Sequence, residues 1–384
     1  MDIAGAAASV IEITGPLADP QTDLPRIARD DEAAAAIDAA VRQITTSHRM
    51  VLGDARNMTG IADGSVHLIV TSPPYWTLKE YRETEGQLGH VDDYEEFLSN
   101  LDRVWSECLR ILVPGGRLVC VVGDVCLSRR KNNGRHTVVP LHSSISEHCR
   151  RIGFDGLAPI IWHKIANAIF EAGGNGAGFL GKPYEPNAVL KNDIEYVLML
   201  RKPGGYRSPN LDTRLLSLIS AKNHHRWFQQ IWTDIKGAST RAHPAPYPLE
   251  LAERLVRMFS FVGDTVLDPF TGTGTTNLAA GRWGRDSIGI EIDPHYLAMA
   301  TERLSPLVET AGLRPCLLRL RSRLPDPCRI SSCSSNWSER FGTVRTYTAT
   351  RISAIASPIT FTRISTTSTS RPSSAGRLMP GVGC

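Results

Sequence analysis

Thr71-Ser72-Pro73-Pro74-Tyr75 follows the apolar run His67-Leu68-Ile69-Val70, and its residue types describe a socket of hydrogen-bond acceptors. Each proline fixes φ, lacks a backbone N–H and holds the preceding residue extended, so the carbonyls of Ser72 and Pro73 point in set directions with no local donor to satisfy them. The Ser72 hydroxyl adds a third acceptor, and Tyr75 adds a flat face beside it. A planar ring carrying an exocyclic amino group meets those needs, and a nucleobase is such a ring. Taken alone, the tetrapeptide reads equally well as a strand-ending turn.

A second stretch changes that balance. Thr265-Val266-Leu267-Asp268-Pro269-Phe270-Thr271-Gly272-Thr273-Gly274-Thr275-Thr276 reads as a strand, an acidic strand end, a glycine loop and a helix start. Gly272 and Gly274 let the backbone approach a ligand closely, and Asp268 is placed to accept from a ligand ammonium. The strand 287–290 ends at Glu291, about twenty residues past the glycines, where open α/β folds put the acid that binds ribose hydroxyls.

The pair of motifs resembles the DNA amino-methyltransferases that use S-adenosylmethionine, in which an (Asp/Asn/Ser)-Pro-Pro-aromatic loop holds the target base and an Asp-Pro-Phe-x-Gly-x-Gly-Thr loop holds the cofactor. The catalytic loop comes first, as in the permuted class called beta, and the similarity runs from about His48 to about Leu304. The resemblance implies a Rossmann-like α/β methyltransferase fold with a mostly parallel seven-stranded sheet, permuted motif order and a target-recognition insert. It implies base-holding roles for Ser72, Pro73, Pro74 and Tyr75. It implies cofactor contacts from Thr71, Asp268, Pro269, Phe270, Gly272, Gly274, Thr275 and Glu291, from Asp54 toward the adenine, and from the region of His243 around the methionine end.

These residues need strands that end at one edge. Met50 to Leu52 ends at Gly53-Asp54, the run into Ser72 is a second strand, and Leu118 to Val122 ends at Gly123-Asp124. Between them Asp92 and Asp93 can cap a helix whose Tyr94, Phe97, Leu98, Leu101, Val104, Trp105, Cys108 and Leu112 share one face. Leu157 to Trp162 and Asn192 to Leu200 supply further strands. The expected division is an accessory segment 1–45 with one short helix over 33–41, a catalytic half 46–202, a target-recognition region 203–241, a cofactor half 242–312 and a tail 313–384 expected to lack order.

Composition, 42% hydrophobic and 21% charged over 384 residues, is that of a globular chain with a real core. The net charge of +4 is uneven: eleven arginines against Asp326 and Glu339 give the stretch from Arg314 about +9, leaving about −5 on the rest. Any DNA-binding surface on the core is therefore local. Arg129, Arg130, Lys131 and Arg135 in one loop, and Arg207, Arg214, Arg226 and Trp227 in the 206–241 region, are the candidates for phosphate and base contact, against the alternative of solvated basic faces. The eight cysteines form no Cys-x-x-Cys pair, so neither a zinc site nor a disulfide framework is expected. No export signal or apolar span is visible, and a cytoplasmic location is expected.

The resemblance implies methyl transfer to the N4 amino group of a flipped-out cytosine in duplex DNA, with no covalent enzyme intermediate, and admits a separate cognate restriction endonuclease. Serine at 72 resembles the N4-cytosine enzymes, whereas adenine-N6 enzymes more often carry aspartate there. RNA or protein-glutamine methylation and a purely DNA-binding role stay open as alternatives.

Overall fold

The computed structural model describes residues 1–79, 81–127, 132–164, 192–238 and 247–310, together with a strand at 316–319. The stretches of Arg129 to Lys131 and of His243, and most of the tail, lie outside these residues. Met1–Arg323 is one compact unit, and the second unit, Leu324–Cys384, is also outside them.

Among the described residues eleven strands run in chain order: β1 His48–Leu52, β2 Val66–Thr71, β3 Leu112–Val122, β4 Val125–Leu127, β5 Thr137–Val139, β6 Asp155–His163, β7 Ile194–Arg201, β8 Ile231–Trp232, β9 Thr265–Asp268, β10 Asp286–Glu291 and β11 Cys316–Arg319. Nine of them form one sheet in the order β11-β1-β10-β9-β2-β3-β7-β6-β8, while β4 and β5 make a small antiparallel pair. The seven expected strands are its inner members; short β8 and β11 extend the edges. β11 falls within the segment expected to lack order, because its Met50↔Leu317 and Val51↔Leu318 register continues the sheet past β1. From β11 to β3 all pairings are parallel, and β7 alone is reversed against both its neighbours.

The sheet is buried on both faces, as parallel sheets are. Alternate residues of β2 and β3 divide between two cores: Val66, Ile69, Leu118, Cys120 and Val122 face one, and Leu68, Val70, Val119 and Val121 the other. Tyr94–Ile111 (α4) and Leu141–Ile152 (α5) cover the first. Asp93 caps α4 by accepting from Glu96 N at 2.8 Å, and Phe97, Leu101, Val104, Trp105 and Cys108 form its buried stripe as their spacing predicts. Leu249–Phe259 (α8) and Thr275–Arg282 (α9) cover the second.

The N-terminal segment is more than the one expected helix. Ile3–Thr14, Pro20–Ala28 and Asp31–Val41 (α1 to α3) are each capped by an aspartate, and Ala6, Val10, Ile27, Ile37 and Val41 pack with Leu215, Leu216, Val262 and Trp283. Two short helices, Leu211–Leu216 (α6) and Ala221–Trp227 (α7), precede β8, and Pro294–Thr310 (α10) follows β10. Among the described residues no helix is long and apolar enough to cross a membrane.

Candidate active site

Parallel pairing brings the carboxyl ends of β1, β10, β9 and β2 to one edge, where open α/β sheets bind ligands. A cleft opens there between the loops that end these strands. Asp54, Ser72, Pro74, Pro269, Phe270, Gly272, Thr275 and Glu291 line it, so most of the residues named from sequence meet in one place. Tyr81, Gly86, Gln87 and Leu88 close it from the loop between β2 and α4, and Tyr296 comes from α10. Arg82 anchors that loop by an ion pair to Asp293 at 3.2 Å.

Three residues expected to touch the cofactor lie beneath the cleft instead. Asp268 is 1% exposed and its two oxygens are already taken: Thr71 Oγ1 (2.7 Å) and Phe270 N (3.0 Å) donate to Oδ1, and Thr276 Oγ1 (2.8 Å) and Tyr247 OH (3.1 Å) donate to Oδ2. Burial pushes its carboxyl up and these bonds pull it back. Buried among these partners, Asp268 acts as a buttress beneath the cleft. Thr71, fully buried, is the other half of that buttress and ties the end of β2 to the end of β9. Gly274 stands at φ +76 as the N-terminal boundary of α9, and a Cβ there would lie 3.0 Å from Ala300 Cβ; its glycine serves helix packing.

Glu291 lines the cleft. Gly272 N donates to Oε2 at 2.8 Å and Asp293 N to Oε1 at 3.0 Å, which fixes the carboxyl while leaving one acceptor position on each oxygen. Burial, opposed by these two bonds, raises it to about 7. Asp54 is held side-on by Arg56, whose Nε reaches both carboxylate oxygens (3.0 and 2.9 Å) and whose Nη1 donates to Asn100 Oδ1 at 2.6 Å. Arg303 of α10 pins the glycine loop through Thr273 O at 2.7 Å.

The catalytic loop departs from expectation at Tyr75. Its ring offers no open face: it is 6% exposed and packed in the core under β2 and β3. Ser72 Oγ donates to its hydroxyl at 3.3 Å, and the hydroxyl donates to Val121 O at 3.4 Å. Pro73 is buried, and the next residue after Tyr75, Trp76, has φ +46, a left-handed conformation that a bulky residue rarely adopts.

Of the basic and aromatic residues expected to meet DNA, Arg207, Arg226 and Trp227 have partners within the fold. Arg207 pairs with Asp264 through both Nη atoms (2.6 and 2.5 Å), at the amino end of β9 and so at the sheet edge opposite the cleft. Arg214, half-buried on α6, belongs to the same edge, where Ser217 Oγ accepts from Val262 N. Trp227 is 6% exposed, with the guanidiniums of Arg257 and Arg254 at 5.1 and 6.0 Å from its ring. Arg226 is half-exposed but bonded to Asp234 and Glu250. Arg135 is exposed, in the loop between β4 and β5.

Sequence reasoning missed Tyr247, Thr276, Arg56 and Arg303. Tyr247 and Thr276 had a signal, the one in the proline-rich run after His243 and the other closing the glycine-loop stretch; Arg56 and Arg303 carry no local pattern.

A family model described as DNA methylase matches residues 66–302, from the first residue of β2 into α10. The chain belongs to the DNA methylase family. This methylase is 39% identical over 300 residues to the type II methyltransferase M.MjaI of Methanocaldococcus jannaschii, covering 70% of this chain and 95% of that one. A putative DNA modification methylase of Thermus thermophilus, TTHA0409, crystallised in complex with S-adenosyl-L-methionine, is 51% identical over 72% of this chain and all of its own, with a TM-score of 0.58. The PvuII DNA methyltransferase (cytosine-N4-specific), at 19% identity and a TM-score of 0.50 over 70% of this chain and 93% of its own, shares the fold.

Proposed function

We propose that this methylase moves a methyl group from S-adenosylmethionine to the N4 amino group of a cytosine flipped out of duplex DNA, as the modification enzyme of a restriction-modification system. The observation that carries the reading is that Ser72 and Pro74 line the same cleft as Gly272, Thr273 and Glu291, with the two loops locked together by the Thr71–Asp268 bond. The strand order, with catalytic β2 beside cofactor β9 but 194 residues earlier in the chain (Thr71 to Thr265), supports the permuted class.

The residues present fit the cofactor. Glu291 keeps two acceptor positions for a ribose diol, Phe270 and Ile292 line the cleft with apolar surface for an adenine, and the glycine loop admits a ligand against its backbone. When bound, S-adenosylmethionine supplies an electrophilic methyl on a sulfonium. The chain's own part is positioning and electrostatic preorganisation. An aromatic amino nitrogen is a poor nucleophile because its lone pair is delocalised into the ring. Accepting its hydrogens at the Ser72 hydroxyl and the Pro73 carbonyl favours pyramidal nitrogen and aims the lone pair into the cleft. Extruding the base costs a few kcal/mol, which loop contacts must offset.

The test is nuclease digestion and mass spectrometry of DNA from cells expressing the methylase, beside a Ser72→Ala control. N4-methylcytosine that falls in the control is the expected result. N6-methyladenine would overturn the choice of base and leave the mechanism standing. Neither base, from folded protein that binds S-adenosylmethionine in calorimetry, would overturn DNA methylation.

A further inference from the structure

We infer that the Tyr75 hydroxyl is a positioning device for Ser72: it takes the serine's proton away from the cleft, so that the serine's lone pairs face the target amino group. The inference rests on the base-methylation reading above and deepens it at one residue.

A carboxylate or amide oxygen at position 72 would present lone pairs to an amino group in any rotation. A hydroxyl does not. It has one proton and two lone pairs, and with the proton turned toward the base it would confront the amino hydrogens donor to donor. Serine in this place therefore needs an acceptor behind it. Ser72 Oγ donates to Tyr75 OH at 3.3 Å, and Tyr75 OH donates in turn to Val121 O at 3.4 Å, so the chain of donors runs from the cleft to the carboxyl end of β3. Both bonds are long, as apo contacts of this kind are before substrate tightens them.

The ring is held firmly enough to fix its hydroxyl for this work. It is 6% exposed, and a Cβ on Gly123 would stand 3.3 Å from both Tyr75 Cε2 and Glu195 Cγ, so the strand ends of β3 and β7 close over it. Glu195, itself buried and paired with Lys164 at 2.5 Å, lies beside the phenol. Burial foremost, and the Glu195 charge second, keep the phenol protonated well above its ordinary range, so it remains able both to accept from Ser72 and to donate to Val121. No proton leaves any of these atoms; the device sets an orientation.

The test is a double-mutant cycle on single-turnover methyl transfer to DNA, with Tyr75→Phe made in the wild type, in Ser72→Ala and in Ser72→Asp. Phenylalanine keeps the ring. The expected loss in wild type is about tenfold in rate, the scale of one neutral hydrogen bond, with the KM for DNA, the calorimetric Kd for S-adenosylmethionine and the Tm nearly unchanged. In both altered backgrounds Tyr75→Phe should cost nothing further, because alanine has no proton to direct and aspartate needs none directed. Equal losses in all backgrounds would mean a structural role and overturn the inference, as would a wild-type rate in Tyr75→Phe. Wild-type protein that binds S-adenosylmethionine but never methylates DNA would instead overturn the underlying reading.

Discussion

The loops that end β9 and β2 touch through one 2.7 Å bond, yet they are finished to different standards. Around Asp268 each carboxylate oxygen has two partners, and a separate network runs from Thr271 through Asn277 and Ser287 to His48 in β1. Around Ser72 the bonds stretch to 3.3 and 3.4 Å, Trp76 holds φ +46, and its indole N–H finds no partner among the described residues. Strain and slack of this kind collect where a structure must act. The glycine loop is built to hold a ligand of fixed shape, and the proline loop is left to complete its contacts on a substrate that arrives.

Asp268→Ala breaks the comparison most severely. It strands the Thr71 hydroxyl and the Phe270 N–H in a buried site, while Thr276 and Tyr247 keep each other and Val70 O, and should cost about 2–4 kcal/mol in urea unfolding. A loss below about 1 kcal/mol would mean that the β9 loop is as slack as its neighbour.

Glu291 gives the second effect. Its folded carboxyl is raised to about 7, so the stability it contributes to the free protein is present below the ordinary carboxylate range and is lost as pH rises through about 7. Diol hydroxyls prefer the ionised form, so S-adenosylmethionine should bind more tightly as pH climbs, by up to about tenfold per unit, until a plateau above about 7. Calorimetry across that window should show the slope in wild type and not in Glu291→Gln; a slope retained in the variant assigns it to another group.

Gly274→Ala comes third, at about 1–2 kcal/mol, from a left-handed φ and a tight approach to Ala300. Ser72→Ala should lie at the other extreme. Its unfolding free energy should stay within about 0.5 kcal/mol of wild type while methyl transfer slows, and a large destabilisation there would erase the distinction between the two loops.

The same contrast governs what could be read in advance. Ser72, Gly272 and Glu291 were legible because strand-loop-helix punctuation is local: nineteen residues separate Gly272 from the acid that its N–H meets. The partner of Thr71 is 197 residues away, and nothing in its neighbourhood announces it. Arg207 and Trp227 show the converse. Basic and aromatic residues in alternation suit a nucleic acid, but they equally suit Asp264 and the arginines of α8, and composition carries no record of which partner the fold supplies. Tyr75 was legible as essential; whether its ring would face the cleft or the core depends on Gly123 and Glu195, which come from other strands.

The placement of β9 and β10 in the middle of the sheet also has a consequence during synthesis. β1 pairs only with β10 and β11, and one side of β2 waits for β9, so both strands leave the ribosome long before their neighbours exist. At about 5–20 residues per second, the side of β2 that receives β9 stays unpaired for roughly 10–40 s while the chain from Thr71 to Thr265 is made. That edge, Val66 to Thr71, carries no Asp, Glu, Lys or Arg to discourage pairing with another chain. The nascent protein is therefore most exposed to aggregation just before it becomes able to bind its cofactor, and yield on expression should respond to chaperone supply more than to any substitution in the finished cleft.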